Sequence, residues 1–491
     1  MTGPALAALA PLVVIGIVVI ALLLVISIRR GHGLTAVLTM AGIAVAFAAL
    51  FHPGLRRPVS SEALLVFDDS ARLYTGLILA GAAAVVLLSF GYFGREGARP
   101  DGARRGPREE YQPEEYYVLL LLASFGSIVL VAAVHFSSIF LGLEILSVSL
   151  YGLIAYPRDV PSAIEAGIKY LVLAAVSAAF LLFGMALVYA ETGTLTLAGM
   201  TAVPGNVSDR VVWLVGVGLI VTGFGFKLAL VPFHLWTPDV YQGAPAPVTA
   251  FVATVSKGAM LALLVRVFAR VDVAAQEGLF VSFAVLAVAS MAAGNLLALL
   301  QDNVKRMLAY SSIAHLGYLL VAFLASGGLA ATAVAFYLVA YFVAMIGAFG
   351  VVAVLSGGER EAEHLDDYRG LFARRPWLAG LFTGMLLSLA GIPLTAGFVG
   401  KFFVTVAAGS AALWALLIVM MVTSGVGLFY YLRVVVAMFM QPAAVEAPEE
   451  GALPVPLTAT LTLAMLAAVL LGLGVFPGPL LAVIDAAVAR G

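Results

Sequence analysis

The chain has 491 residues, 63% of them hydrophobic and only 11% charged, with a mean hydropathy of +1.09, which is more apolar surface than a water-soluble fold can bury. A net charge of −1 offers no basic surface for nucleic acid, and the absence of cysteine excludes disulfides and cysteine-ligated iron–sulfur clusters. Apolar runs near 20 residues without strand-like alternation define an all-α polytopic membrane protein, because lipid satisfies neither open sheet edges nor irregular backbone.

In chain order, the pattern predicts fourteen spans: 8–28, 34–51, 73–93, 116–134, 137–156, 162–190, 211–238, 246–270, 278–300, 304–325, 328–356, 378–407, 411–440 and 455–476. No signal peptide is evident, since the first run follows "MTGPALAALA" without a basic leader. Arg29 and Arg30 close that run, which sets the amino terminus outside. An even number of spans then sets the carboxyl terminus outside as well. Two polar loops, 94–115 and 357–376, carry Arg95, Arg99, Arg104, Arg105 and Arg108, then Arg360, Arg369, Arg374 and Arg375. The span count puts both on the cytoplasmic side, as the positive-inside rule prefers, although Arg56, Arg57 and Arg72 fall in an outside loop. The tail "PGPLLAVIDAAVARG" is too short to span and is expected on the surface.

A weak internal repeat is visible. The seventh predicted span carries Lys227 and breaks at Pro232; the twelfth breaks in "GIPLTAGFVGKF", with Pro393 followed by Lys401. Each break lies four spans into a five-span unit, and two successive units with an odd number of spans must be inverted. The expected organisation is three spans and a cytoplasmic loop (1–115), a first five-helix repeat (116–270), a second (278–440), and a last span with its tail (441–491).

Of 26 lysines and arginines only five are lysines: Lys169, Lys227, Lys257, Lys305 and Lys401. All five fall within or at the edge of predicted spans, while the loops use arginine. Arginine stays protonated, whereas a desolvated lysine can fall from about 10.4 toward roughly 5–6, so of these two bases only lysine can both hold and release a proton in the membrane. Among the 27 acidic residues Glu144, in "SSIFLGLEILSVSLYGLIAY", stands out inside a span. A lone carboxylate there costs about 2.5–3.5 kcal/mol or more on insertion scales, so it needs a partner such as a lysine on a neighbouring helix. Glu144, Lys227, Lys257 and Lys401 are therefore the candidate relay. Supporting candidates are Lys169, His234, Tyr310 and His315, with Ser311 and Ser312 as hydroxyls that could link Lys257 to Lys401.

Plainer readings stand beside these. Lys305 and Arg306, at a span end, read as snorkelling side chains. Lys169 can pair with Glu165 at i,i+4. His234 can be a satisfied core histidine, Trp236 reads as interfacial or packing, and Pro245 and Pro247 read as loop punctuation. No nucleotide-binding motif occurs, and no metal or cofactor site is expected on the chain.

The stretches "FKLALVPFHLWTPDVYQGAPAPVTAFVATVSKGAM", "QDNVKRMLAYSSIAHLGYLL" and "GIPLTAGFVGKFFV" resemble the antiporter-like membrane subunits of respiratory NADH:quinone oxidoreductase (complex I), shared with cation/proton antiporters and membrane hydrogenases. The resemblance covers roughly 116–440. "HLWTPDVYQGAPAPV" favours the N type, and the M type carries a glutamate at the position of Lys401. This resemblance implies a proton-pumping subunit of the cell inner membrane, among other membrane-arm subunits and lipid, with NADH, FMN, iron–sulfur clusters and quinone used by partner subunits. It matches Glu144 to the fifth-helix glutamate, Lys227 to its seventh-helix partner, Lys257 to the connecting lysine and Lys401 to the lysine of the broken twelfth helix. The second repeat departs from the first in lacking a carboxylate on its tenth helix. The alternative function is a subunit of a multisubunit cation/proton antiporter; a passive scaffold is a third.

Overall fold

The structure, a computed structural model, describes residues 9–52, 64–96, 112–197, 200, 207–268, 271, 273, 276–356, 361–441 and 455–488. It is helical: among the described residues there are isolated bridges but no strand. The helices are α1 Ala10–Ile28, α2 His32–Ala49, α3 Asp69–Glu96, α4 Glu114–Ala132, α5 Phe136–Ile154, α6 Pro161–Thr192, α7 Val207–Leu228 and α8 Trp236–Gly243. They continue with α9 Ala246–Phe251, a π turn at Val252–Ser256, α10 Lys257–Phe268, α11 Glu277–Leu299, α12 Val304–Ala325, α13 Gly327–Leu355 and α14 Leu371–Arg374. The last are α15 Pro376–Ala390, α16 Ala396–Ser410, α17 Trp414–Phe439, α18 Leu457–Val475 and α19 Gly478–Val488.

Local chemistry explains the boundaries. Proline occupies the first turn of α1, α6, α9 and α15, where its missing N–H removes nothing. The Asn303 side chain accepts from Arg306 N–H at the start of α12, and Thr395 accepts from Phe398 N–H at the start of α16. Gly193 and Gly391 end α6 and α15 in the left-handed region. Close helix packing comes from small residues: a Cβ on Gly126 of α4 would lie 2.6 Å from the Leu146 nitrogen and 2.7 Å from the Gly142 oxygen of α5.

Thirteen helical segments among the described residues are long and apolar enough to cross a membrane, counting α9, the π turn and α10 as one. The predicted count was fourteen. The difference lies at predicted span twelve, where α15 and α16 have 15 residues each, too few to cross alone, separated by Gly391 and Leu394 at φ 86° and 72°. Three segments, Ala246–Phe268, α12 and α13, are almost wholly enclosed by the others. α6, α17 and α18 are the opposite case, with Val172, Phe183, Val422, Phe429 and Leu461 turned outward. The enclosed trio carries buried Lys257, Lys305, Ser312 and His315, while Lys227 and Lys401 are buried on α7 and α16. The tail forms α19, which packs on α13 and α3 and is tied by Thr332 Oγ1 donating to Asp485 at 2.8 Å. The side chain of Arg95, together with Arg56, Arg57, Arg99, Arg104, Arg105, Arg108, Arg360 and the stretch 442–451, lies outside the described residues.

Candidate functional site

Lys227 sits in the last turn of α7, which ends as Ala229 turns to φ 59°. The residue is 3% exposed. Its Nζ donates to Ser147 Oγ at 2.7 Å and lies 5.3 Å from the Tyr170 ring centroid and 5.8 Å from that of Phe226. Glu144 is one turn before Ser147 on α5, the helix whose serine holds Lys227. The expected direct pairing of the two is not formed: among the described residues no cationic nitrogen lies within 4.0 Å of the Glu144 carboxylate, and its Oε1 is buried without a hydrogen-bond partner. The Ser147 hydroxyl is the nearer acceptor and takes the ammonium. Ser147 in turn donates to Leu143 O, which leaves its lone pairs for the lysine.

Residues 229–235 leave the helical path before α8 resumes it. Trp236 spans the interruption, its Nε1 donating to Phe226 O at 2.9 Å. Trp236 is buried, so packing rather than an interfacial position is its role. His234 is buried in the interruption, and its Nδ1 has no partner among the described residues. Lys257 is the first residue after the π turn and is 1% exposed. Its Nζ donates to Ser312 Oγ at 2.7 Å and lies 5.1 Å from the Tyr241 ring and 5.9 Å from the Trp236 ring. The Tyr341 hydroxyl reaches Ser312 Oγ at 2.7 Å and the Ala253 carbonyl, inside the π turn, at 3.0 Å. A phenol has one proton, so Tyr341 can donate to only one of these at a time.

One turn along α12, His315 is buried between tyrosines: Nδ1 meets Tyr337 OH at 2.6 Å and Nε2 meets Tyr431 OH at 3.2 Å. Ser311 bonds the same Tyr431 hydroxyl. Ser311 and Ser312 thus belong to two different clusters, one around His315 and one around Lys257, and the rings of His315 and Tyr341 meet between them at 5.5 Å. Tyr310 is half-buried, and its hydroxyl bonds no group among the described residues.

Lys401, 9% exposed, reaches from α16 back to the end of α15. Its Nζ donates to Leu389 O at 3.0 Å, Ala390 O at 2.9 Å and Ser424 Oγ at 2.7 Å, using all three ammonium donors. The two carbonyls are ones a helix end leaves without intrahelical partners. The Tyr318 ring lies 5.1 Å from the same Nζ, and Tyr318 OH accepts from Asn295, which in turn accepts from Tyr430.

The remaining lysines differ from expectation. Lys305 does not snorkel: it is 1% exposed, ion-paired with Glu361, and donates to Gln242 O and Ala244 O. The carbonyls at the end of α8 offer it acceptors inside the protein that water would otherwise supply. Lys169, 43% exposed at its side chain, pairs with Glu165 at 2.8 Å and with Asp239 at 2.7 Å, and Asp239 also holds Arg306 at 2.7 Å. It lies on the rim of the site and not among the buried lysines. Ser147, Ser424, Tyr337, Tyr341 and Tyr431 were not picked out from sequence; "AFYLVAYFV" does place Tyr337 and Tyr341 on one helix face at i,i+4.

Residues 133–427 match the family described as NADH:quinone oxidoreductase/Mrp antiporter, TM. The chain is 46% identical to NADH-quinone oxidoreductase subunit N of Ectopseudomonas mendocina, over 98% of this chain and 96% of that protein. Among solved structures it matches a chain in respiratory complex I from Thermus thermophilus with bound Aureothin at 34% identity and a TM-score of 0.78, over 96% of this chain and 98% of that one. A chain of the Mrp complex from Dietzia sp., at 21% identity, shares the fold, with a TM-score of 0.81 over 100% and 97% of the two chains. Fold and matched region together define the class, an antiporter-like polytopic membrane protein. Within that class the chain belongs to the family of NADH-quinone oxidoreductase N subunits.

Proposed function

We propose that this chain is a proton-translocating membrane-arm subunit of NADH:quinone oxidoreductase, working in the cell inner membrane beside other subunits that use NADH, FMN, iron–sulfur clusters and quinone. The observation that carries the reading is a set of enclosed lysines, Lys227, Lys257 and Lys401, each on a serine hydroxyl at 2.7 Å. Lys227 and Lys257 have one protein acceptor each among the described residues and otherwise face aromatic rings, so two ammonium hydrogens on each nitrogen have no protein acceptor there. Lys401 is fully engaged and is the storage position. Protons pass from Lys227, under the field of Glu144, past His234 to Lys257 and Ser312, then through Tyr341 and the His315 cluster toward Lys401. Lys169 and Tyr310 support this path from its edges.

In this reading the interruptions at 229–235 and 391–395 are the paired breaks of two inverted five-helix units, 116–270 and 278–440, and the amino and carboxyl termini lie on the outer side. A passive scaffold would have no use for two enclosed, incompletely bonded amines. An antiporter reading is favoured less, because identity to the N subunit exceeds twice that to the Mrp chain at similar coverage.

The test uses inverted membrane vesicles containing the assembled complex. Lys227→Ala and Lys257→Ala are each expected to cut NADH-driven proton uptake by about tenfold or more, while NADH oxidation with an artificial acceptor persists. Sodium-dependent exchange without NADH, together with full uptake in both variants, would overturn the proposal in favour of an antiporter.

A further inference from the structure

Lys305 is an enclosed cation that the relay does not use. It stands in the first turn of α12, and its partner Glu361 comes from the connection after α13. Besides that ion pair, Lys305 Nζ donates to Gln242 O at 2.8 Å and Ala244 O at 2.7 Å, carbonyls at the end of α8 that have no intrahelical partner. The other carboxylate oxygen of Glu361 accepts from Ala246 N–H at 2.8 Å and from Tyr92 OH at 2.8 Å. Ala246 opens α9 between Pro245 and Pro247, neither of which has an N–H, so its amide is the only backbone donor within 245–247. One ion pair therefore ties the end of α8 to the start of α9. Both helices bear on Lys257: α8 supplies the Trp236 and Tyr241 rings, and α9 runs through the π turn into Lys257 itself.

We propose that Glu361 and Lys305 form a positioning pair that fixes the α8–α9 corner and so holds Lys257 against Ser312. The pair does not carry the transported proton. Unlike Lys401, whose acceptors are neutral, Lys305 is held in its charged form by a carboxylate; all three of its donors are engaged, and both oxygens of Glu361 are used. The inference rests on the reading of Lys257 as a relay group, and it adds a control on that group's place from a loop that sequence reasoning treated only as a source of charge.

The experiment compares Glu361→Ala, Glu361→Gln, Lys305→Met and Lys257→Ala in the whole complex. It measures amide hydrogen exchange over 236–257 by mass spectrometry, NADH-driven proton uptake, and assembly on native gels. Glu361→Ala is expected to speed exchange over 246–257 by about tenfold. It is expected to slow proton uptake about ten- to hundredfold, with NADH oxidation by an artificial acceptor retained. Glu361→Gln keeps an oxygen for Ala246 N–H, so exchange stays near the native rate and uptake recovers in part. That partial rescue is the result a merely structural role would not give. Should Glu361→Ala prevent assembly, Lys305→Met carries the test: faster exchange over 236–246 with slowed uptake supports the pair. Native exchange or native uptake in assembled Glu361→Ala or Lys305→Met overturns it. Native uptake in Lys257→Ala would instead remove the reading on which the inference stands, whereas native uptake in Glu361→Ala beside an inactive Lys257→Ala overturns the positioning pair alone.

Discussion

Gly391→Ala probes the seat of Lys401 without touching the lysine. Gly391 ends α15 with φ 86°, and a Cβ there would lie 2.8 Å from Lys401 Cδ and 3.3 Å from its Nζ. The left-handed conformation costs an L-residue about 1–2 kcal/mol. Overpacking adds about 1–3 kcal/mol. Moving the lysine off the Leu389 and Ala390 carbonyls relieves the overpacking part, about 1–3 kcal/mol, and dismantles the proposed storage position, while the backbone strain stays. Since about 1.4 kcal/mol is tenfold in rate, proton uptake per complex is expected to fall about five- to hundredfold. Gly384→Ala, on the same helix with nothing within 4 Å of its Cβ, is the control. There alanine contributes about 0.5–1 kcal/mol of helix stability, and uptake should stay native. The assay is dye-quench proton uptake in inverted vesicles, normalised to NADH oxidation with an artificial acceptor. Native uptake in Gly391→Ala, or an equal loss in Gly384→Ala, would refute the reasoning.

Ser147→Ala removes the single protein acceptor of Lys227 among the described residues; a hydrogen bond to a charged group is worth about 1.5–3 kcal/mol, so uptake should drop about ten- to hundredfold, and an unchanged rate in the same vesicle assay counts against the site. Tyr341→Phe keeps the ring and deletes the hydroxyl between Ser312 and Ala253 O, which is expected to slow uptake several-fold at normal assembly on native gels; a stable complex with native uptake removes Tyr341 from the path.

Burying a charge in hydrocarbon is costly enough to leave its mark on composition, which is why the spans and the lysines could be read from residues alone. The partners could not. Serine in a membrane helix ordinarily bonds its own i−4 carbonyl, as Ser147 does to Leu143, so nothing local marks the serines that also hold an amine. Glu144 and Lys227 were expected to meet directly because opposite charges attract, yet Ser147 lies closer to the ammonium. Lys305 was read as snorkelling because it stands at a span end; the carbonyls that enclose it come from α8, 61 and 63 residues earlier. The π turn in "VATVS" has no compositional signature, since it contains neither proline nor glycine.

Proton release from the amine at position 227 is the step on which the proposed relay turns. Lys227→Arg keeps the positive charge and much of the reach toward Ser147, but a guanidinium stays protonated. Proton uptake driven by NADH in vesicles containing the assembled Lys227→Arg complex should fall by about tenfold or more relative to the native complex. Uptake at the native rate in that variant would contradict the account.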